Sequence, residues 1–166
     1  VQVVHTASQW HLQWSWPRMS VANAERIAAW GLSLKGQTGT FRYFPRRPVS
    51  PLSSRFLAVP SYAYGDTISV AGWSNGAASQ LRPGQWFSIG DQLLRIVDAN
   101  AVADSAGRIT VAFEPELRAS YTTGTPVEFA NASGVFRLND SNGIAYTLDP
   151  DRLPEFGTIT AREVIG

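Results

Sequence analysis

The sequence predicts a mainly β fold: a barrel or sandwich of short antiparallel strands, with one α-helix near residues 21–34 and a proline-rich extended arm over residues 45–64. Three observations predict it. Short runs of alternating apolar and polar residues recur along the chain, separated by glycine, proline, asparagine and aspartate. Helical spacing of apolar residues occurs once. Residues 45–60 hold four prolines and show little periodicity.

Residues 1–16 read as strand. Over residues 9–16, Trp10, Leu12, Trp14 and Trp16 fall on one face and Gln9, His11, Gln13 and Ser15 on the other. Pro17 ends the run. Ser20 is placed to cap a helix whose apolar face is Val21, Ala24, Ile27, Ala28, Gly31 and Leu34, with Gly36 as its stop. Trp30 leans toward the core. A short strand follows at residues 40–44. Residues 45–64 then carry Arg46, Arg47, Arg55, Phe56, Tyr62 and Tyr64. Proline cannot donate to a ladder, so this stretch is expected to be an extended arm or an irregular surface loop rather than a central strand. Further strands are expected at residues 67–71, 85–89, 92–98, 108–114, 126–129, 134–138, 144–148 and 157–164. Gly90-Asp91 makes a tight connection, and residues 103–107 have hairpin-loop chemistry. The expected organisation is one β-rich domain over residues 1–166, with the arm as its extension.

Composition narrows function. The chain has 166 residues, 44% of them hydrophobic and only 16% charged, which excludes a disordered tail or a coiled coil. No apolar run is long enough for a membrane-crossing helix. Residues 1–10 lack the basic and then apolar pattern of a secretory signal. The net charge of +1 gives no global field to attract nucleic acid or acidic membranes. Lys35 is the only lysine among fourteen basic residues. Arginine is the basic residue enriched at interfaces, because its planar fork pairs with carboxylates and stacks on rings. With no cysteine, disulfides, thiolate metal sites and cysteine nucleophiles are excluded.

No constellation demands an enzyme. His5 and His11 are the only histidines. On a single strand they would lie about 20 Å apart, too far to share a metal. Glu114 and Glu116 flank Pro115 and could face one side as a glycosidase pair does, but Glu-Pro-Glu at a strand end is usually a solvated turn. Asp91 reads as a turn carboxylate. There is no nucleophile elbow and no phosphate-binding glycine loop. No metal, cofactor or catalytic residue is expected. The tryptophan strand admits two readings: a core face, or a stacking platform for sugar rings as in a carbohydrate-binding module. Trp73, set among Gly, Ser and Asn, is expected to be exposed or at an interface.

Three blocks in order carry a resemblance. The first is the Trp-rich strand, the helix with Ala28-Ala29-Trp30, and Leu34-Lys35-Gly36-Gln37-Thr38-Gly39-Thr40-Phe41. The second is Leu81-Arg82-Pro83-Gly84-Gln85-Trp86-Phe87-Ser88-Ile89-Gly90-Asp91, leading to Asp104-Ser105-Ala106-Gly107-Arg108 and Glu114-Pro115-Glu116-Leu117-Arg118. The third is Gly134-Val135-Phe136-Arg137-Leu138, then Phe156-Gly157. This order resembles the minor tail or distal tail structural proteins of long-tailed bacteriophages. The resemblance implies a ring subunit at the tail tip, sixfold, joining the tail tube to the hub or receptor-binding parts. It implies no catalytic residue, no cofactor, and no direct contact with nucleic acid or membrane. Its implied location is the distal end of the virion tail, after synthesis in the host cytoplasm. Arg46, Arg47, Arg55, Phe56, Tyr62, Tyr64 and Trp73 are the residues expected at the contact between copies, with the arm leaving its own subunit to pack on the next.

Overall fold

The computed structural model describes residues 2–6, 9–141, 144–149 and 152–164, with side chains described from Gln9 onward. Its described residues are mainly β, as expected, with one α-helix. They form two compact units where the sequence suggested a single domain. One unit comprises Val1–Arg42 with Val135–Ile165, and the other comprises Tyr43–Gly134.

The first unit is built on a five-stranded sheet. Its strands are β1 (Gln2–Thr6), β2 (Gln9–Trp14), β3 (Phe41–Tyr43), β10 (Gly134–Leu138) and β13 (Ile159–Glu163), in the order β1-β2-β13-β10-β3. The single strand expected over residues 1–16 is an antiparallel pair, with Thr6 opposite Gln9. Residues 7 and 8 lie outside the described residues. The pairing overturns the separation argued for the histidines: His11 sits opposite Val4, and His5 opposite Trp10. A small hairpin, β11 (Tyr146–Leu148) with β12 (Pro154–Phe156), completes the strands of this unit.

The helix α1 (Val21–Ser33) starts where a capping serine permits: the Ser20 hydroxyl accepts from the Asn23 amide at 3.4 Å. Ala24, Gly31 and Leu34 are buried and Ile27 and Ala28 half-buried, while Val21 is exposed. Gly36 turns the chain at a positive φ of 64°. Trp30 is exposed rather than in the core, because only the edge of its ring meets Phe41, at 5.4 Å, and Phe41 in turn stacks on Phe136 at 6.2 Å.

The second unit is a closed barrel. Its strands are β4 (Arg55–Leu57), β5 (Thr67–Ala71), β6 (Trp86–Ile89), β7 (Gln92–Ala99), β8 (Arg108–Glu114) and β9 (Pro126–Glu128), in the order β4-β5-β8-β7-β6-β9. Every neighbouring pair is antiparallel, and β4 with β9 closes the ring. Inward residues fill the interior, as alternation dictates: Leu57, Val70, Phe87, Ile89, Leu94, Ile109, Val111 and Val127 are all fully buried. The expected turns are present. Gly90, at φ 58°, joins β6 to β7. In the loop before β8, Asp104 Oδ1 accepts from the amides of Ala106 at 2.8 Å and Arg108 at 2.9 Å.

The arm is the main correction. Residues 45–64 are extended but built into the barrel of their own chain. Leu57 and Ser50 are buried, and Leu52 is nearly so. Val49 bridges to Trp86, and Ser61 bridges to Tyr121. Strand β4 carries no sequence signal, because its three residues lie between prolines and belong to no longer alternating run. Its partners, Ala71 and Pro126, are far away in sequence. Removing residues 46–57 would delete the strand that closes the barrel.

Candidate interaction surface

The seven residues expected at an interface separate into three groups. Arg55 and Trp73 form the first. The Arg55 guanidinium lies 5.1 Å from the Trp73 ring centroid, and its Nη1 donates to Ser53 Oγ at 2.8 Å. The Trp73 indole N–H donates to the Ser79 carbonyl at 3.2 Å, and the ring packs against the barrel core. Gly72, at φ 121°, leaves room for Arg55, since a Cβ there would sit 2.5 Å from Arg55 Cδ. Both side chains are therefore committed to their own barrel, and Trp73 is half-buried rather than exposed.

Arg46 and Arg47 form the second group. Both are exposed on the segment entering the barrel. Arg46 lies close enough to Tyr43 to oppose the effect of burial there: burial pushes the Tyr43 phenol above its ordinary pKa, and the Arg46 charge partly restores it.

Phe56, Tyr62 and Tyr64 are the exposed aromatics. Phe56 points outward from β4 and is 48% exposed; Tyr62 and Tyr64 are 72% and 79% exposed. The loop that carries the tyrosines is held by its backbone. Ser61 and Tyr121 exchange amide–carbonyl bonds of 2.9 and 2.7 Å. The Tyr64 amide donates to the Leu117 carbonyl at 2.7 Å, the Leu117 amide to Gly65 at 2.8 Å, and the Ala63 amide to Ser120 Oγ at 3.1 Å. Tyr64 has φ 67°, left-handed for a bulky residue. That conformation costs about 1–2 kcal/mol, which the surrounding hydrogen bonds must over-determine. Two large aromatic side chains thus stand in solvent on a fixed, strained backbone.

Sequence reasoning missed the residues that fix these loops. Gln92 is buried; its Nε2 donates to the Glu116 carbonyl at 2.8 Å and its Oε1 accepts from the Arg118 amide at 3.0 Å. Glu128 accepts from Ser54 Oγ and from the amides of Ala130 at 2.9 Å and Asn131 at 3.0 Å, tying the proline-rich segment to β9. Burial raises the Glu128 pKa, but the bonds from Ser54, Asn131 and Ala130 outweigh it, so the carboxyl titrates below its ordinary value. A depressed folded-state pKa contributes stability that is present above the unfolded value and lost as pH falls through the folded one. Wild type should therefore exceed Glu128→Gln in thermal midpoint at neutral pH, by the equivalent of ~1 kcal/mol or less at this half-exposed site. The gap should close below about pH 4, as the carboxylate protonates. A gap that persists unchanged into acid would contradict the assignment.

Glu114 and Glu116 are exposed. Among the described residues, no group of three or more His, Asp or Glu side chains could hold a metal, and no helix is long and apolar enough to cross a membrane. The tryptophan strand is engaged in packing. Trp10 is buried, Trp14 meets Trp16 edge-on at 5.8 Å, and Trp16 meets Phe156 at 5.0 Å. These rings present edges to one another rather than a flat row of faces. No protein-family model matches the chain, and no curated protein matches it.

Proposed function

We propose that this chain is a structural, non-catalytic subunit of a bacteriophage tail tip. Copies of it form a sixfold ring that joins the tail tube to the distal hub or receptor-binding parts. Two things support the reading: the ordered blocks described above resemble distal tail proteins, and the barrel carries exposed aromatic side chains on a loop held by backbone hydrogen bonds. The observation that carries the contact is the pair Tyr62 and Tyr64, standing in solvent on a loop held by its backbone at a left-handed Tyr64. Tyrosine brings a large contact area at little entropic cost, and a fixed backbone lowers the cost of ordering on association. Phe56 is a further exposed aromatic side chain of the barrel. The packed tryptophans leave the carbohydrate-module reading without the platform that motivated it.

Image classification of isolated tail tips, with mass measurement of the same material, tests the reading. The expected result is a closed ring of six copies at the distal end of the tube. A monomer found apart from any tail structure would overturn it. Tyr64→Gly sharpens the test, because glycine adopts the left-handed conformation freely. This variant should stay within ~1 kcal/mol of wild-type stability. Combined with Tyr62→Ser, it should weaken assembly by roughly 30-fold or more, as the loss of a contact hot spot does. Full assembly by the folded double variant would remove the tyrosines from the interface.

A further inference from the structure

The five-stranded sheet has a second face, turned away from α1. Strand alternation places Gln9, His11 and Gln13 of β2, Arg162 of β13, Arg137 of β10 and Arg42 of β3 on it, opposite Trp10, Leu12, Phe136 and Phe41. Register makes a basic row. Arg137 is the direct cross-strand partner of Arg162, and Arg162 is the partner of His11. Like charges directly opposite one another repel, and β2, β13, β10 and β3 place no aspartate or glutamate on this face to relieve them. The neighbouring acid, Glu163, is fully buried on the other side, with its Oε2 3.4 Å from the Trp10 amide.

A depression of about 320 Å³ opens beside this row, lined by Gln9, Arg137, Arg162, Glu163 and Val164. Arg137, which lines it, has a buried Nε without a hydrogen-bond partner. A guanidinium donor withdrawn from water and left unpaired is costly, and here it lies beside a second, exposed guanidinium. An oxyanion in the depression would lie beside both guanidinium groups and offset the repulsion between their positive charges. A carboxylate matches the guanidinium fork in plane and spacing.

We propose that this depression receives an aspartate or glutamate side chain from an acidic segment of a partner protein. The size of the site favours a protein over nucleic acid. Binding along a phosphate backbone draws on many cations spread over a long track, whereas this one opening has two arginines, with Glu163, Val164 and a Gln9 whose amide donates to the Glu163 carbonyl, in a chain of net charge +1. The flanking Gln13 and His11 offer further hydrogen-bonding groups suited to peptide. The inference is independent of the tail-tip reading, since it concerns the sheet unit and not the tyrosine loop.

The test uses the full chain and a fluorescein-labelled octa-glutamate peptide, followed by anisotropy at constant pH. Inorganic phosphate and a single-stranded DNA oligonucleotide serve as competitors. Arg162→Gln is the first variant, because the side chain is exposed and its loss, which also removes the repulsion with Arg137, should not lower the thermal midpoint. Arg162→Gln should weaken peptide binding by at least threefold, and Arg137→Gln with Arg162→Gln by tenfold or more. Arg137→Lys, which keeps the charge but loses the fork, should fall between wild type and the double variant. Peptide binding that is absent, or is the same in Arg162→Gln, would overturn the proposal. So would displacement by DNA at lower concentration than by unlabelled peptide, or displacement by phosphate at concentrations as low as those of the peptide.

Discussion

Phe87→Ala is expected to destabilise the barrel unit by roughly 3–5 kcal/mol, the range for emptying a fully buried phenylalanine site. Phe87 sits on β6 with no exposed surface, opposite Leu94 of β7. Its ring meets Phe113 edge-on at 5.5 Å and lies tilted against Phe129, also at 5.5 Å. These three rings come from different parts of the barrel wall, so truncating the middle one strands the other two. Ring closure favours the upper end of the range. A closed barrel fixes its diameter through strand number and stagger, so the wall cannot fold inward to fill the void as an open sheet might. Phe87→Leu keeps much of the volume and should cost about 1–2 kcal/mol. The midpoint of urea denaturation, at constant slope, measures both. A loss below about 1 kcal/mol for Phe87→Ala would mean that the three rings do not form a packed interior.

The same barrel indicates what a sequence of this kind can and cannot reveal. Strands β5 and β8 were legible end to end, because Ile68 and Val70, and Ile109, Val111 and Phe113, alternate with outward residues over a length sufficient to show a period. The helix was legible for the same reason at a different period, with Ala24, Gly31 and Leu34 buried where spacing placed them. Strands β3, β9 and β11 are also three residues long but lie in longer runs that read as strand, whereas β4 and β12 lie in no such run and were not legible. A three-residue strand is defined by its partners, and partners are a property of the closed chain. The prolines of residues 45–64 point to an extended segment, whereas Leu57 filling the barrel and Glu128 accepting from Ser54 arise only from tertiary placement. The candidate surface divides in the same way. That Tyr62 and Tyr64 stand apart from the core could be read from the chain, since no period enlists them. That Arg55 lies over Trp73, or that Arg137 faces Arg162, could not, because each pair exists only through tertiary placement or strand register.

Gly31→Ala should destabilise the sheet-and-helix unit, although alanine is the better helix former. Two effects of opposite sign meet at this position. In α1, replacing glycine with alanine gains about 0.5–1 kcal/mol from reduced backbone entropy in the unfolded chain. Against that, a Cβ on Gly31 would sit 2.6 Å from Ile144 Cβ, 3.2 Å from its Cγ1 and 3.3 Å from its Cα. Ile144 is 4% exposed, and the collision is with the root of a β-branched side chain rather than with a mobile tip. Relief requires the backbone to move, so overpacking at ~1–3 kcal/mol outweighs the helical gain. Gly31→Val adds two methyl groups and loses helix propensity, and should cost more still. A double-mutant cycle identifies the cause. In an Ile144→Ala background the offending Cβ remains, so the Gly31→Ala penalty should persist. In an Ile144→Gly background that atom is gone, and Gly31→Ala should become neutral or stabilising by up to ~1 kcal/mol. Thermal or urea midpoints of the four variants in each cycle provide the measurement. An equal penalty in the Ala and Gly backgrounds would show that something other than the approach of α1 to Ile144 requires glycine at this position.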